Sequence, residues 1–243
     1  MQFDGKLGII SGRYHSVDAS KGGTDHKTIL EVFARCEDGR SACLLVSGMS
    51  PTFEITPLSA WKEGQELPQL FLDKLKRLEA NEDIRSISGP VMKLTDLGMR
   101  PIWQVTARQP FVVPSLRKSL VKQSWQIFAG DIPFLNRLFL DNELSMHVHA
   151  KGEIIDSRDI MENADEQRMK VLKSGGAGRY AVDITVSCDV SDLSDCEPFQ
   201  VPFKVFSFDL ETSIEHEKVL CAAAWIEDMS NGTRQEFSFE GEE

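Results

Sequence analysis

The sequence predicts an α+β fold in which a β-rich, mixed N-terminal domain is followed by a small antiparallel sheet. Short runs of alternating apolar residues, which are typical of strands, recur along the whole chain. A few segments with apolar residues at helical spacing lie between them. Near the C-terminus, an Asn231-Gly232 pair between two apolar runs predicts a tight hairpin.

The first 55 residues read as a β-meander. The runs KLGIISGRYHS, KTILEVFARC and SACLLVSGM predict three strands, with a Gly-rich loop from Asp18 to Asp25. A further strand at residues 52–55 continues the meander past Pro51.

Residues 66–144 alternate between helices and strands. Helices are predicted at 66–80 and 113–121, and strands at 84–91, 101–107 and 124–134. The segment 84–128 therefore indicates a small α+β module with an antiparallel sheet. A third helix is predicted over 134–144, with Asp131 as its N-cap and Pro133 close behind.

The second predicted helix carries a basic face formed by Arg117, Lys118 and Lys122. A solvated helix face is the simplest explanation of these three charges.

Residues 145–200 are less regular and predict a connecting segment. A helix over 157–172, a Gly-rich break at 174–178 and a strand over 180–188 are expected there. The predicted division is 1–144 for the N-terminal domain, 145–200 for the connecting segment and 201–243 for the final sheet.

The run FKVFSFDLETS, residues 203–213, is the most informative part of the chain. Side chains alternate along a strand, so Asp209 and Glu211 are predicted to share one face where an apolar strand ends. Paired carboxylates suit a hard cation such as Mg²⁺ or Mn²⁺. The alternative is two acids at a strand end facing water. With the strands at 219–226 and 233–239, this run reads as the opening of a ribonuclease-H-like sheet that is incomplete.

Composition and charge set limits on function. No apolar run is long enough to span a membrane, and the N-terminus does not resemble a secretory signal. Five widely spaced cysteines without a C-x-x-C pair indicate free thiols in a reducing cytoplasm. Residues 1–130 carry a net charge of +3 and residues 131–243 a net charge of −14. Residues 1–130 are therefore compatible with contact to a phosphate backbone, whereas residues 131–243 repel one unless cations intervene.

FSFDLETS resembles the first exonuclease motif of family B DNA polymerases. QIFAGDIPF, at residues 126–134, followed by Arg137 and Asp141, looks like the segment that closes the N-terminal domain in archaeal members. The runs PIWQV, QPFVVP and PTFEI also fall in the family's order, so the resemblance covers essentially the whole chain.

This resemblance implies the N-terminal domain and the start of the 3′–5′ exonuclease domain of a DNA-directed DNA polymerase. Asp209 would bridge two divalent ions, Mg²⁺ or Mn²⁺, and Glu211 would bind one. Later family motifs supply further carboxylates, and the polymerase domains follow them. The implied partners are single-stranded template DNA, the primer 3′ end and the remainder of the polymerase. We therefore expect this chain alone to lack complete active sites.

Archaeal relatives also hold template uracil in a pocket of the N-terminal domain. The matching positions are Pro51, Pro110, Val113 and Phe134, where a tight apolar slot would exclude thymine by its methyl group. Thr52 stands where relatives often have an aromatic residue. The alternative is that these four residues are packing and turn positions.

Two other functions stay open on the sequence. One is a stand-alone metal-dependent 3′–5′ nuclease with a divergent sheet. The other is a non-catalytic single-strand-binding module in which Trp103 and Trp125 stack on bases, although such residues are more often core. In every case the C-terminal sheet is expected to be poorly packed or to associate with another chain.

Overall fold

Three antiparallel strands open the chain, as the sequence predicts. They are β1 (Gln2–Asp18), β2 (His26–Cys36) and β3 (Ser41–Ser47), paired in chain order. The structure is a computed structural model that describes residues 1–18, 26–58, 66, 68–96, 98–155, 182–213, 215 and 218–240. The predicted loop after Asp18 therefore lies outside the described residues.

The next part of the chain forms a four-stranded antiparallel sheet with two helices. Its elements are β4 (Thr52–Pro57), α1 (Gln69–Glu79), β5 (Ile84–Thr95), β6 (Gly98–Ala107), α2 (Val113–Lys122) and β7 (Trp125–Phe128). The spatial order β5-β6-β4-β7 is that of a ferredoxin-like βαββαβ unit. The predicted antiparallel module is confirmed. The strand at 52–55 was wrongly assigned to the meander, because it pairs with β6 and β7.

Both helices of the βαββαβ unit pack on one face of its sheet. Phe71 and Leu75 of α1 and Leu116 and Leu120 of α2 are buried against the sheet. This burial explains the apolar spacing in the sequence, because residues three and four apart share one helix face. Among the helices of the described residues, none is long and apolar enough to cross a membrane.

A third helix, α3 (Phe134–Asp141), packs on the barrel described below. Its N-cap position is Pro133, which has an extended ψ of 140° and makes no side-chain cap. Asp131 is therefore not the N-cap, and that prediction was wrong, because the proline sets the start of the helix. At the other end, the Asn142 side-chain amide donates a hydrogen bond of 2.9 Å to the Leu138 carbonyl.

Strands from the predicted connecting segment close the first meander into a barrel. They are β8 (His147–Ile155), β9 (Ile184–Asp189) and β10 (Leu193–Asp195). β9 pairs parallel with β3, and β8 pairs antiparallel with both β9 and β1. The strand predicted at 180–188 corresponds to β9. The helix predicted at 157–172 lies outside the described residues, and the three-part domain division stays a prediction.

The closed barrel has the strand order β1-β2-β3-β9-β8, with β10 added beside β8. Alternate residues on every strand point inward and are fully buried, for example Leu7, Val32, Leu44, Val148 and Val186. Closure leaves no open edge in the ring of five strands, which protects their backbone groups. The fold is thus a β-rich α+β fold, as predicted, but the barrel itself was not foreseen.

The last three strands form a separate antiparallel sheet. They are β11 (Lys204–Ser213), β12 (Lys218–Asp228) and β13 (Thr233–Glu240), and they pair in chain order. The predicted Asn231-Gly232 turn joins β12 to β13, and Gly232 has a φ of +68° that suits glycine. No residue of these strands is buried.

All five cysteines are free thiols, as the sequence predicts. Burial raises the pKa of Cys43 and that of Cys188 to about 12 each. These two thiols are therefore protonated at neutral pH and serve as small apolar side chains.

Gly12 of β1 permits the close approach of α3 to the barrel. A Cβ at this position would lie 2.8 Å from Leu135 Cδ1 and 3.0 Å from the Glu31 carbonyl oxygen. We expect Gly12→Val to lower the free energy of unfolding by roughly 1–3 kcal/mol, because the added side chain overpacks this contact. Urea denaturation measures the change.

Ser11→Val is the matched control, because Ser11 is the exposed neighbour on the same strand. Valine favours strands at both positions, so strand propensity alone would stabilise both variants. Equal stability of the two variants would contradict the packing role of Gly12.

Candidate functional site

A cavity of about 810 Å³ lies where the barrel meets the βαββαβ unit. Tyr14 of β1 and the first residues of α3 line one side of it. The start of β4, the segment from Pro110 through α2, and the turn after β7 line the rest. Its volume falls in the range of small-ligand pockets.

The four residues predicted for a uracil pocket all line this cavity. Pro51, Pro110 and Phe134 are buried, and Val113 is half-buried. Pro51 and Phe134 are far apart in sequence and belong to different structural units, so only the tertiary fold brings them together. Thr52 lines the cavity as well. The structure thus groups these residues, while their role in base recognition stays a prediction.

The apolar wall of the cavity is rigid. Pro51, Pro110, Pro114 and Pro133 contribute to it, and each proline ring fixes its own φ. Phe134 belongs to the buried core of the barrel, and its ring meets the Tyr14 ring edge-on at a centroid distance of 5.6 Å. This wall therefore combines residues of restricted backbone with a side chain that is packed in the barrel core.

Arg137 links α3 to the turn after β7. Its guanidinium donates two hydrogen bonds to the Asp141 carboxylate, Nε to Oδ2 at 2.9 Å and Nη2 to Oδ1 at 3.0 Å. A third donor, Nη1, lies 3.5 Å from the Ala129 carbonyl oxygen. The bidentate pair fixes this side chain, which is only 11% exposed, at the edge of the cavity.

The turn after β7 adopts an unusual backbone conformation beside the cavity. Ala129 has a φ of +56°, and a Cβ on Gly130 would lie 2.9 Å from Ile127 Cγ2. Glycine is therefore required for the turn to pass this close to β7.

The charged residues of the cavity are mostly cationic. Arg117, Lys118 and Lys122 of α2 line it together with Arg137, and among the described residues of the lining Asp131 is the one carboxylate. An apolar wall beside a cationic wall suits a ligand that combines a flat, weakly polar group with negative charge. All three residues of the basic face of α2 are exposed, as expected for the solvated helix face that the sequence indicates, and they also border the cavity.

Trp103 and Trp125 do not form a stacking surface. They are 4% and 2% exposed, and both rings contact Phe71 of α1 in the core of the βαββαβ unit. The core position that the sequence analysis gave as the more common one is therefore the one observed, and the alternative of stacking on bases does not hold, because the helices cover the face on which both rings lie.

Asp209 and Glu211 lie on the same face of β11. Their cross-strand partners on β12 are Ala223 and Cys221, in regular antiparallel register. Both carboxylates are exposed, and the Asp209 carboxylate accepts a hydrogen bond of 3.0 Å from the Leu210 backbone N–H. Small neighbours leave room for a cation here, so the shared face that the sequence predicts is present.

The position of this acidic pair along the strand differs from the prediction. β11 continues to Ser213 beyond a register shift after Glu211, so the pair is not at the strand end. Most residues of the strand are exposed. Among the described residues, no group of three or more histidine, cysteine or acidic side chains could hold a metal ion. The metal-binding role therefore stays a prediction.

The opposite face of this sheet is apolar. Phe206, Phe208 and Leu210 of β11 pair with Ile226, Ala224 and Ala222, and Phe237 and Phe239 follow on β13. All five of the larger β11 and β13 side chains are between 43% and 62% exposed. We call these five residues the apolar sheet face. Its contiguous exposure marks a surface that is suited to cover by another element.

No family model and no curated protein matches the sequence. A solved structure that does match is that of the family B DNA polymerase from the hyperthermophilic archaeon Pyrobaculum calidifontis. The TM-score is 0.56 at 18% sequence identity, and the match covers 98% of this chain. It covers 27% of the polymerase chain, so this chain spans about a quarter of that protein's length. The likeness is one of fold.

The apolar sheet face leads to a prediction about local stability. Backbone amides of β12 should exchange with solvent faster than those of β2 and β3, because nothing in the last sheet is buried. Hydrogen-exchange mass spectrometry of the full chain measures both regions in one sample. Equally slow exchange in the two regions at monomeric concentrations would contradict this prediction.

Proposed function

We propose that this chain is the template-binding part of a family B DNA polymerase, and that its cavity receives one base of the single-stranded template. The observation that carries the proposal is the grouping of Pro51, Pro110, Val113 and Phe134 in one preformed cavity beside cationic side chains. The fold likeness to an archaeal family B polymerase supports the same assignment.

The chemistry of the cavity favours uracil among the pyrimidines. The proposal places the edge of the base directly against the proline rings and Phe134 at one wall of the cavity, where an added methyl group would meet packed side chains. Backbone groups of the turn after β7 lie beside the same space and can bond the polar edge of a base. A base must leave its stack to enter, which favours a single strand over a duplex.

The acidic pair is proposed as one part of a two-metal 3′–5′ exonuclease site. Asp209 and Glu211 fit the ligand chemistry of Mg²⁺ or Mn²⁺, which would supply an activated water and stabilise a leaving oxygen. Two carboxylates offset only half the charge of two divalent cations, so further acidic groups are required. We infer that the remainder of a polymerase supplies them and covers the apolar sheet face in a ribonuclease-H-like domain.

Non-catalytic single-strand binding is the second candidate function. This function uses the same cavity and the same cationic wall. It differs from the first proposal in that Asp209 and Glu211 take no part in it. A stand-alone nuclease is less well supported, because the described residues offer no third carboxylate near Asp209 and Glu211.

Uracil preference is the direct test of the cavity. Single-stranded oligonucleotides that differ by one uracil or thymine should differ roughly 10-fold in Kd, since one methyl group in a tight pocket is worth about this much. Fluorescence anisotropy measures both affinities. We expect Val113→Phe to abolish the difference, because the phenyl ring would occupy the part of the cavity between Val113, Pro110 and Phe134 where the base is proposed to lie.

The matched control for this experiment is Val91→Phe. Val91 lies on β5, is 58% exposed and does not line the cavity, so the same substitution there should leave the uracil preference unchanged. Equal affinity of the unaltered chain for the two oligonucleotides would remove the uracil proposal.

Nuclease activity tests the acidic pair. With Mg²⁺ or Mn²⁺ and a labelled single strand, we expect the chain alone to show no more 3′–5′ degradation than its Asp209→Ala variant, because two carboxylates do not complete the site. Gel electrophoresis of the products measures this. Robust degradation that disappears in Asp209→Ala would establish a self-sufficient nuclease instead.

A further inference from the structure

Helix α2 has two faces with different neighbours. Leu116 and Leu120 are buried in the core of the βαββαβ unit. Arg117, Lys118 and Lys122 lie on the other side and line the cavity. The buried leucines anchor the helix, so the cationic groups are presented from a rigid support and not from a loop.

The lysines of this face have no acidic partner within the described part of the chain. Neither Lys118 nor Lys122 makes an ion pair there, and both are exposed. Arg137 differs, because Asp141 neutralises it at 2.9 Å. The uncompensated charge of the cavity therefore lies on α2, where it is available to a ligand.

We propose that Lys118 and Lys122 bind two successive phosphates of the single strand whose base enters the cavity. This inference rests on the proposed function and adds the path of the strand, which follows the axis of α2. Four helical residues rise about 6 Å, a separation that neighbouring phosphates of an extended strand can match. Lysine binds phosphate as a point charge, so neither contact reads base identity.

A phosphodiester backbone fits this surface better than an acidic protein segment. The cationic face adjoins a wall of proline and phenylalanine side chains. A ligand that contacts both must carry a flat group and a negative charge on the same monomer unit or on adjacent ones. A nucleotide strand meets this requirement at every step. A run of aspartate or glutamate residues supplies charge without a flat group.

The salt dependence of binding tests this inference. The full chain is titrated against a single-stranded oligonucleotide at several salt concentrations, with uracil or thymine at one position. Lys118→Gln and Lys122→Gln should each lower the slope of log K against log salt by about 0.7, the value for one phosphate contact to a single strand. Each should weaken binding equally for the two oligonucleotides. Glutamine has a helix propensity close to that of lysine, so α2 is preserved.

Lys76→Gln is the matched control. Lys76 lies in the last turn of α1, away from the cavity lining, and should leave the slope unchanged. The variant that carries both Lys118→Gln and Lys122→Gln is measured as well. If its salt slope equals that of the unaltered chain, or if Lys76→Gln lowers the slope by the same amount, the inference is overturned, even where uracil preference persists. A reduced slope specific to α2 supports it even where uracil and thymine bind equally, which separates this result from failure of the uracil proposal.

Discussion

The packing of α3 on β1 at Gly12 is the contact on which the cavity depends. Leu135 approaches the strand where a Cβ would leave only 2.8 Å, and Phe134 and Leu138 enter the barrel core on either side of it. On the same helix, Phe134 and Arg137 line the cavity, and Arg137 Nη1 lies 3.5 Å from the Ala129 carbonyl oxygen. The glycine leaves room for the Leu135 side chain beside β1, so α3 can pack on the barrel and place these residues at the cavity.

The two candidate sites differ in how much of each is already built. The cavity has a preformed apolar wall, an arginine fixed by its partner carboxylate and cations on an anchored helix. The acidic pair lies on an exposed sheet that has apolar side chains on one face and carboxylates on the other. A metal site gains strength from low dielectric and from several charged ligands, and neither condition is met on a sheet without cover. In the proposed function, binding of a strand therefore needs only this chain, whereas metal-dependent chemistry needs further carboxylates.

The sequence predicted the local features well, because they depend on neighbours in the chain. The alternation of apolar residues predicted the strands, helical spacing predicted α1 to α3, and Asn231-Gly232 predicted the last hairpin.

The barrel was not predicted, since β3 and β9 pair across about 140 residues and no local pattern in β9 indicates a partner. The prediction of Asp131 as the N-cap was wrong, because the helix begins directly after Pro133. The residues of the cavity were found only through the order of family motifs, since Pro51, Pro110 and Val113 carry no chemical signal that distinguishes a pocket from ordinary packing.

In the proposed function, the distribution of charge gives the two sites complementary roles. Residues 1–130 carry a net charge of +3, and the cations on α2 stand beside the cavity that is proposed to receive one base. Residues 131–243 carry a net charge of −14, and they repel a strand unless divalent cations offset part of that charge. Contacts to phosphate give affinity without sequence information, and only a base inside the cavity can be identified. Under this proposal, α2 holds the strand through its phosphates, the apolar wall discriminates among bases, and access to the acidic sheet depends on bound divalent cations.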